Sequence, residues 1–397
     1  MHTHVAAGNA LHVPVLAQAC LNFLSRGITG QTAPKNPIMI DCTLGMGGHT
    51  EAALLAFPNL TVIGIDRDPQ AIALATERLA PFGSRFISVH ATYDEVANVA
   101  QHYGHKDSEG GVDAILLDAG VSSLQLDESE RGFSYAHDAP LDMRMNVQDG
   151  ANAAELLANL DVKELTKILR DYGEEKFARN IAREIVRGRT TQPITRTGQL
   201  VDLIRDVIPA PARRTGGNPA KRAFQALRIA VNDELGCLER AIPAALDSLR
   251  VGGCIVVESY QSLEDKIVKR NFVAASTSSA PRGLPVELEE FAPEFKLLTR
   301  GAYKASEEEI AENPRSASVR LRAAQRIRAK RGGGAQGVGA GAHTLKHGGG
   351  RATGAQSTGG RATGAQPPQQ SSQQSPQQHT SSRENTTFAH EQKGRRS

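Results

Sequence analysis

The sequence has no tryptophan, and aromatic residues make up only 4% of it. Few rings are therefore on hand for stacking on nucleic-acid bases. Cysteine is scarce too: Cys20, Cys42, Cys237 and Cys254 stand far apart, with no C-x-x-C pair. That spacing argues against a disulfide scaffold and against a structural zinc site, and no metal is expected. Cys42 and Cys254 adjoin apolar runs and read as small core residues of a reducing, cytoplasmic protein. No run of about 18 apolar residues is present, so no membrane-spanning helix is expected. The stretch 1–24 holds three histidines and no apolar h-region, unlike a signal peptide.

What is present is ordinary for a soluble globular protein, 40% hydrophobic and 22% charged residues in a chain of 397. That length suits two domains, or one with a large insertion. The formal charge of +3 is unevenly spread: residues 331–397 carry 8 Lys/Arg and 2 Asp/Glu, a net of +6, which leaves residues 1–330 at −3. The same segment has three large apolar residues, Val338, Leu345 and Phe388, and repeats RATGAQ from Arg351 and Arg361. It cannot bury enough surface to offset its ordering entropy, and a disordered basic tail is expected.

Residues 36–120 alternate strand-like and helix-like stretches. Ile38–Ile40 ends in Asp41, residues 61–65 end in Asp66, and Val112–Leu117 end in Asp118. Arg85–His90 reads as a further strand, and Thr50–Ala56 and Pro69–Leu79 read as helices. Repeated strand–helix alternation implies βαβ units, and hence an α/β fold with a mostly parallel sheet covered by helices. The pattern then turns helical: Ala153–Leu160, Val162–Tyr172, Glu174–Arg187 and Gly198–Ile208, with Asp161 and Glu164 spaced as a capping box. One longer helix is expected after Pro219, on the spacing of Phe224, Leu227, Val231, Leu235, Leu238 and Ile242. Strand character returns at Cys254–Val257. The expected organisation is a sheet domain in two parts, 1–136 and 231–330, an inserted helical domain over 137–230, and the tail 331–397.

Asp41 opens a turn containing Gly45, Gly47 and Gly48 between the first strand and the first helix, and Asp66 follows 19 residues after Gly47 at the end of the next strand. Glycines let a backbone approach a ligand, and ligands of open α/β sheets bind beyond the carboxyl ends of the strands. A carboxylate at position 66 can accept both hydroxyls of an adenosine ribose. A dinucleotide fingerprint would need a third glycine where Thr50 stands, whereas Asp41 suits a ligand bearing an amino-acid ammonium. That combination points to S-adenosylmethionine. The plainer alternative is a tight turn with Asp66 capping a helix. Asp118 lies in the same frame at the sheet edge, but spacing alone leaves the acceptor of the methyl group open.

Further motifs over residues 10–322 carry a family resemblance: HVPVL at 12–16, GMGGHT at 45–50, GIDRDPQAIALA at 64–75, LDAGVSSLQLD at 117–127, RGFSY at 131–135, PLDMRMN at 140–146, NPAKRAFQALRIAVNDEL at 218–235, SYQSLEDKIVKR at 259–270 and NPRSASVRLR at 313–322. In this order they resemble the bacterial 16S ribosomal RNA N4-cytidine methyltransferases of the RsmH (MraW) type. The resemblance implies a class I, Rossmann-like methyltransferase fold. It implies methyl transfer from S-adenosyl-L-methionine to N4 of a decoding-centre cytidine. The implied cofactor contacts are Gly47, Gly48, His49, Asp66, Tyr93, Asp118 and Gln125, with Asp66 on the ribose and Tyr93 packed on the adenine. By themselves Tyr93 reads as a loop or core residue and Gln125 as a surface amide. The implied partner is 16S ribosomal RNA in the small subunit, with no membrane, and a homodimer is allowed. The sequence departs from the family pattern at Ala119, Leu124 and Gln261, where the family has Leu, Pro and His. The first two should change packing only. Gln261 excludes a histidine general base at that position.

Transfer to an exocyclic amine needs in-line alignment and loss of a proton. Acceptor candidates are Asp142, Ser122 and Asp41, with none assigned; Asp142 reads equally as a structural partner of Arg144. RNA needs cations. Arg213, Arg214, Lys221, Arg222 and Arg228 fall in a stretch without acids, and a second basic run spans Arg315 to Arg331. Phe133 and Tyr135 are candidates for stacking on bases. Ser262–Asp265 reads either as a helix cap or as a substrate-side element. Two other functions compete: a nicotinamide-dependent oxidoreductase on a similar sheet, and a non-enzymatic RNA-binding or cell-division factor.

Overall fold

Five apolar segments supply the parallel strands β1 (Ile38–Asp41), β2 (Thr61–Asp66), β3 (Phe86–His90), β4 (Val112–Asp118) and β5 (Leu249–Ser259). In the computed structural model, which describes residues 14–330 apart from 108–109, 123, 126–127, 214–217 and 282–287, they form one sheet with β6 (Phe295–Leu297) and β7 (Arg320–Arg326). The order is β3-β2-β1-β4-β5-β7-β6, and β7 runs antiparallel to both β5 and β6. This is the mostly parallel, Rossmann-like sheet expected. The disorder expected of 331–397 lies outside the described residues, as does the start of the motif at 12–16.

Two apolar clusters cover the sheet. One face carries Ile40, Ile63, Ile115, Leu117, Ile255 and Val257; the other carries Met39, Val62, Leu116 and Val256. Both faces of each central strand are thus buried, which is why these strands read as unbroken apolar runs rather than as an alternation. Helices α2 (Gly48–Ala56), α3 (Pro69–Leu79) and α4 (Val96–Tyr103) make the crossovers.

Helix α1 (Ala17–Ile28) packs on the second face through Cys20, Leu24 and Ile28 and was not foreseen in the sequence. Its Gly27 is fixed by space: a Cβ there would stand 2.1 Å from the carbonyl oxygen of Asp113 on β4.

Between β4 and β5 come α5 (Ala153–Asn159), α6 (Val162–Asp171), α7 (Ala178–Gly188), α8 (Thr197–Val207) and α9 (Lys221–Asn232). They enclose a core of their own, with Leu165, Ile181, Leu200, Ile204, Phe224 and Leu227 among its buried members. The capping box of Asp161 and Glu164 is formed. Helix α7 begins at Ala178 rather than Glu174, because Glu174 takes a left-handed φ of 49°.

The single long helix expected after Pro219 is two, α9 and α10 (Glu234–Ser248), divided at Asp233 with φ 48°. The break has a tertiary cause. The Asn232 side chain accepts from the Met145 N–H and donates to the Met143 carbonyl, both at 2.8 Å, and so ties the helix end to the 140–146 loop. The chain then completes α10, β5, α11 (Ser262–Ala275), β6, α12 (Glu307–Glu312) and β7.

Candidate active site

Four neighbouring parallel strands deliver a carboxylate to the same edge of the sheet. Asp41, Asp66 and Asp118 end β1, β2 and β4, and Glu258 is the next-to-last residue of β5, in register with Asp118. The turn after β1 is held by Asp41, whose two oxygens accept from the Thr50 hydroxyl at 2.7 Å and the Thr43 N–H at 3.2 Å. Thr43 in turn accepts from the Asp118 N–H at 2.7 Å. Gly47 caps α2 with φ 79°, and a Cβ there would meet Leu79 at 2.9 Å. This glycine is thus explained by backbone conformation and helix packing as well as by access for a ligand. Gly48 follows it as the first residue of α2.

Asp66 accepts from the Gly45 N–H at 2.8 Å and the Asp68 N–H at 2.9 Å, one at each carboxylate oxygen. Each oxygen keeps a lone pair for a further donor. Burial raises its pKa to about 6, against the lowering effect of those two N–H groups.

His49 projects from α2 into the sheet edge. Its Nε2 lies 3.4 Å from Glu258 Oε2 and 3.9 Å from Asp118 Oδ2. Burial alone would lower its pKa; Glu258, Asp118 and Asp41 outweigh that and raise it to about 9. Burial and the neighbouring Glu258 push the Asp118 carboxyl well above the ordinary carboxylate range, with His49 and Tyr260 acting the other way. Three buried atoms here, His49 Nε2, Asp118 Oδ1 and Glu258 Oε2, have no hydrogen-bond partner in the protein.

Beside this group opens a small cleft lined by Arg67, Tyr93, Ala119, Gly120, Met145, Glu234, Leu238 and Glu264. The Tyr93 hydroxyl donates to the Glu234 carbonyl at 2.8 Å, so the ring is fixed at the wall. Glu264 accepts from the Tyr260 and Gln261 N–H groups and closes the capping box that starts α11. The cap reading of residues 262–265 is thus realised.

The structure corrects several candidate roles. Gln125 is not a surface amide: it is buried, accepts from the Ser122 N–H and donates to Asp68. Asp142 is paired with Arg144 at 2.7 and 2.8 Å, and its pKa is lowered by Arg144 in spite of partial burial. A carboxylate so stabilised is a weak base, and its place is to fold the 140–146 loop. Asp41 is wholly buried, and its bonds from Thr43 and Thr50 tie it to the glycine turn. Phe133 is buried beneath Arg131 and offers no free ring, while Tyr135 is half-buried and packs edge-to-face on Phe224.

The basic residues divide in the same way. Lys221 and Arg222 are exposed, and Arg213 is half-buried. Arg214 lies outside the described residues. Arg228 instead forks onto Glu234 with two 2.8 Å contacts inside the protein, so it is not a surface cation. Within the run from Arg315 to Arg331 the strand β7 takes up residues 320–326: Arg322 pairs with Asp265, while Arg326 is buried over Phe295 and contacts Glu294, so these two belong to the fold. Arg315, Arg328 and Lys330 are exposed, and Arg331 lies outside the described residues.

Glu258, Tyr260 and the cleft residue Arg67 are assigned no role by the sequence, whereas Glu264 lies in the 262–265 segment singled out there. For Glu258 the signal was there, an apolar run ending in an acid like those at Asp41, Asp66 and Asp118. All four cysteines are buried and free. Among the described residues no helix is long and apolar enough to cross a membrane.

The profile of the MraW methylase family matches residues 9–327. The chain belongs to the MraW methylase family. A protein of Beutenbergia cavernae, named ribosomal RNA small subunit methyltransferase H, is 57% identical over 329 residues, covering 83% of this chain and 96% of its own. Its namesake from Pseudarthrobacter chlorophenolicus is 58% identical over 321 residues, covering 81% of this chain and 96% of its own. That of Mycobacteroides abscessus is 54% identical over 321 residues, covering 81% and 83%. The family match makes the chain a methylating enzyme and decides against the oxidoreductase and the non-enzymatic factor.

Proposed function

We propose that this enzyme transfers a methyl group from S-adenosyl-L-methionine to N4 of a cytidine in 16S ribosomal RNA of the small subunit, in the cytoplasm. The observation that carries the reading is the convergence of Asp66, His49, Asp118 and the Tyr93 cleft at one sheet edge, in a chain more than half identical to proteins named for small-subunit RNA methylation. The residues fit the cofactor. Asp66 has lone pairs for two ribose hydroxyls, Tyr93 walls the small cleft beside it, and the unpartnered Oδ1 of Asp118 suits a cationic group. Gly47 and Gly48 leave the turn open beside them. The sulfonium supplies an activated methyl group. The protein's part is to orient the amine in line with it and to exclude water.

Ser122 is the remaining proton-acceptor candidate, half-buried and next to the Asp118 loop. Gln125 supports that loop from below. We assign residues 1–136 and 231–330 to the methyltransferase domain and 137–230 to an inserted helical domain, with Arg213, Arg214, Lys221 and Arg222 as the phosphate-facing cations. A homodimer is the assembly to test by sedimentation.

Mass mapping of small-subunit RNA from cells lacking the protein tests the activity. A single cytidine missing its N4 methyl, restored by the purified enzyme, is the expected result. An unchanged methylation pattern would refute it. A second expectation concerns pH. Because burial raises the Asp66 pKa to about 6 and the ionised carboxylate accepts two hydroxyls more strongly than the protonated acid does, cofactor affinity should hold above that value and weaken as pH drops through it. Isothermal titration between pH 5 and 8 measures this; a flat dissociation constant would remove Asp66 from the ribose site.

A further inference from the structure

We propose that Glu258 is a positioning residue of the transfer site, holding His49 as a cation turned toward Asp118 at the floor of the cofactor site. The proposal rests on the methyltransferase reading above.

Glu258 is completely buried near the end of β5, opposite Asp118 on β4. Its Oε1 accepts from the Cys20 thiol of α1 at 3.4 Å, and its Oε2 faces His49 Nε2 at 3.4 Å. A carboxylate taken wholly out of water needs a cation nearby, and His49 is the nearest at hand. Around His49 the other titratable groups are Asp41 from β1, Asp118 from β4, Cys20 from α1 and Tyr260 after β5. Burial keeps the thiol and the phenol neutral. Three acids thus surround one imidazole, and its raised pKa of about 9 agrees with that geometry.

Asp118 is the most open member of the trio, its side chain 27% exposed against 10% for His49 and 0% for Glu258. The arrangement is graded: Glu258 lies deepest, His49 bridges, and Asp118 meets the ligand. The protonated His49 offsets part of the negative charge of the acids around it and leaves Asp118 as the acid that faces the ligand. S-adenosylmethionine, with a sulfonium, an ammonium and a carboxylate, bears +1. Without Glu258 the imidazole would lose its main partner and deprotonate near neutral pH. Asp118 would then lose the cation that supports its charged form.

The test uses the full-length protein and the isosteric variant Glu258→Gln. Removing such a supporting partner should lower kcat by about 10–100-fold with a smaller change in KM. The variant should retain activity at low pH and lose it as pH rises through the lowered His49 pKa, whereas the wild type should show no such inflection below about 8. NMR titration of the His49 ring in the wild type supplies a measurement that needs no variant, with a midpoint above 8 expected. A midpoint below 7, or coincident pH profiles for the two proteins, overturns the proposal. So does a stoichiometric divalent ion in the purified wild type that is absent from Glu258→Gln, because the trio would then be a metal site. If the wild type fails to bind labelled S-adenosylmethionine at all, the methyltransferase reading itself falls. Binding by the wild type with an indifferent Glu258→Gln variant removes only the role of Glu258.

Discussion

Asp118→Ala is expected to abolish methyl transfer while leaving the protein folded and no less stable. Asp118 is the carboxylate of the sheet edge with the greatest side-chain exposure in its trio, and its Oδ1 has no protein partner. Its charge is therefore directed at the ligand rather than used by the fold. Removing a preorganised charged group from a water-poor site costs about 10²–10³-fold in kcat. Stability should move the other way. The Asp118 pKa is raised in the folded protein, chiefly by burial and Glu258, so its ionisation above the unfolded value opposes folding. The alanine variant should melt at the same temperature as the wild type or higher, with the difference growing as pH rises. His49 keeps Glu258 as a partner, so the local core is not orphaned. Incorporation of labelled methyl into small-subunit RNA and a thermal melt at two pH values decide the matter. Activity within tenfold of wild type would place the site elsewhere.

The parts of this architecture legible in the sequence are those where local pattern and tertiary role coincide. Asp41, Asp66 and Asp118 stood out because each closes a short apolar run, and a strand buried on both faces must be such a run. Glu258 closes a run of the same kind, but no glycine turn or spaced acid drew attention to it. The elements that stayed hidden depend on distant partners. Strand β7 reads as a basic stretch because Arg322 and Arg326 find their acids at Asp265 and Glu294, far off in sequence. Helix α9 reads as continuous with α10 because apolar spacing runs on through Asp233, whereas the break comes from the bonds of Asn232 to residues 143 and 145. Gln125 and Asp142 are polar residues in loops, and only their partners, Asp68 and Arg144, reveal that they hold those loops together.

Arg228 is where this difference has the largest measurable consequence. Its position in a cation-rich, acid-free stretch reads as a phosphate contact, yet its guanidinium meets both oxygens of Glu234 across the α9–α10 break. The side chains of the pair are only 14% and 8% exposed. Glu264 lines the same cleft, and burial raises its pKa to about 7 even with Arg228 close by. Arg228→Ala would leave two buried carboxylates, Glu234 and Glu264, without their main cation, a change that costs about 3–5 kcal/mol. For a folded part of this size that is a fall in Tm of roughly five to eight degrees. The loss should be smallest below pH 6, where Glu264 is protonated, and should grow as pH rises through 7, since the carboxylate resists ionising in the folded state. Arg222→Ala should behave in the opposite manner. Arg222 is exposed, and among the described residues its side chain reaches the Glu174 carbonyl at 3.5 Å. Its loss should leave the melt unchanged while reducing the salt slope of RNA binding by about 0.7–0.9 for each phosphate contact removed. A melt of Arg228→Ala that matches wild type, together with a reduced salt slope, would return Arg228 to the RNA surface and make its pairing with Glu234 incidental.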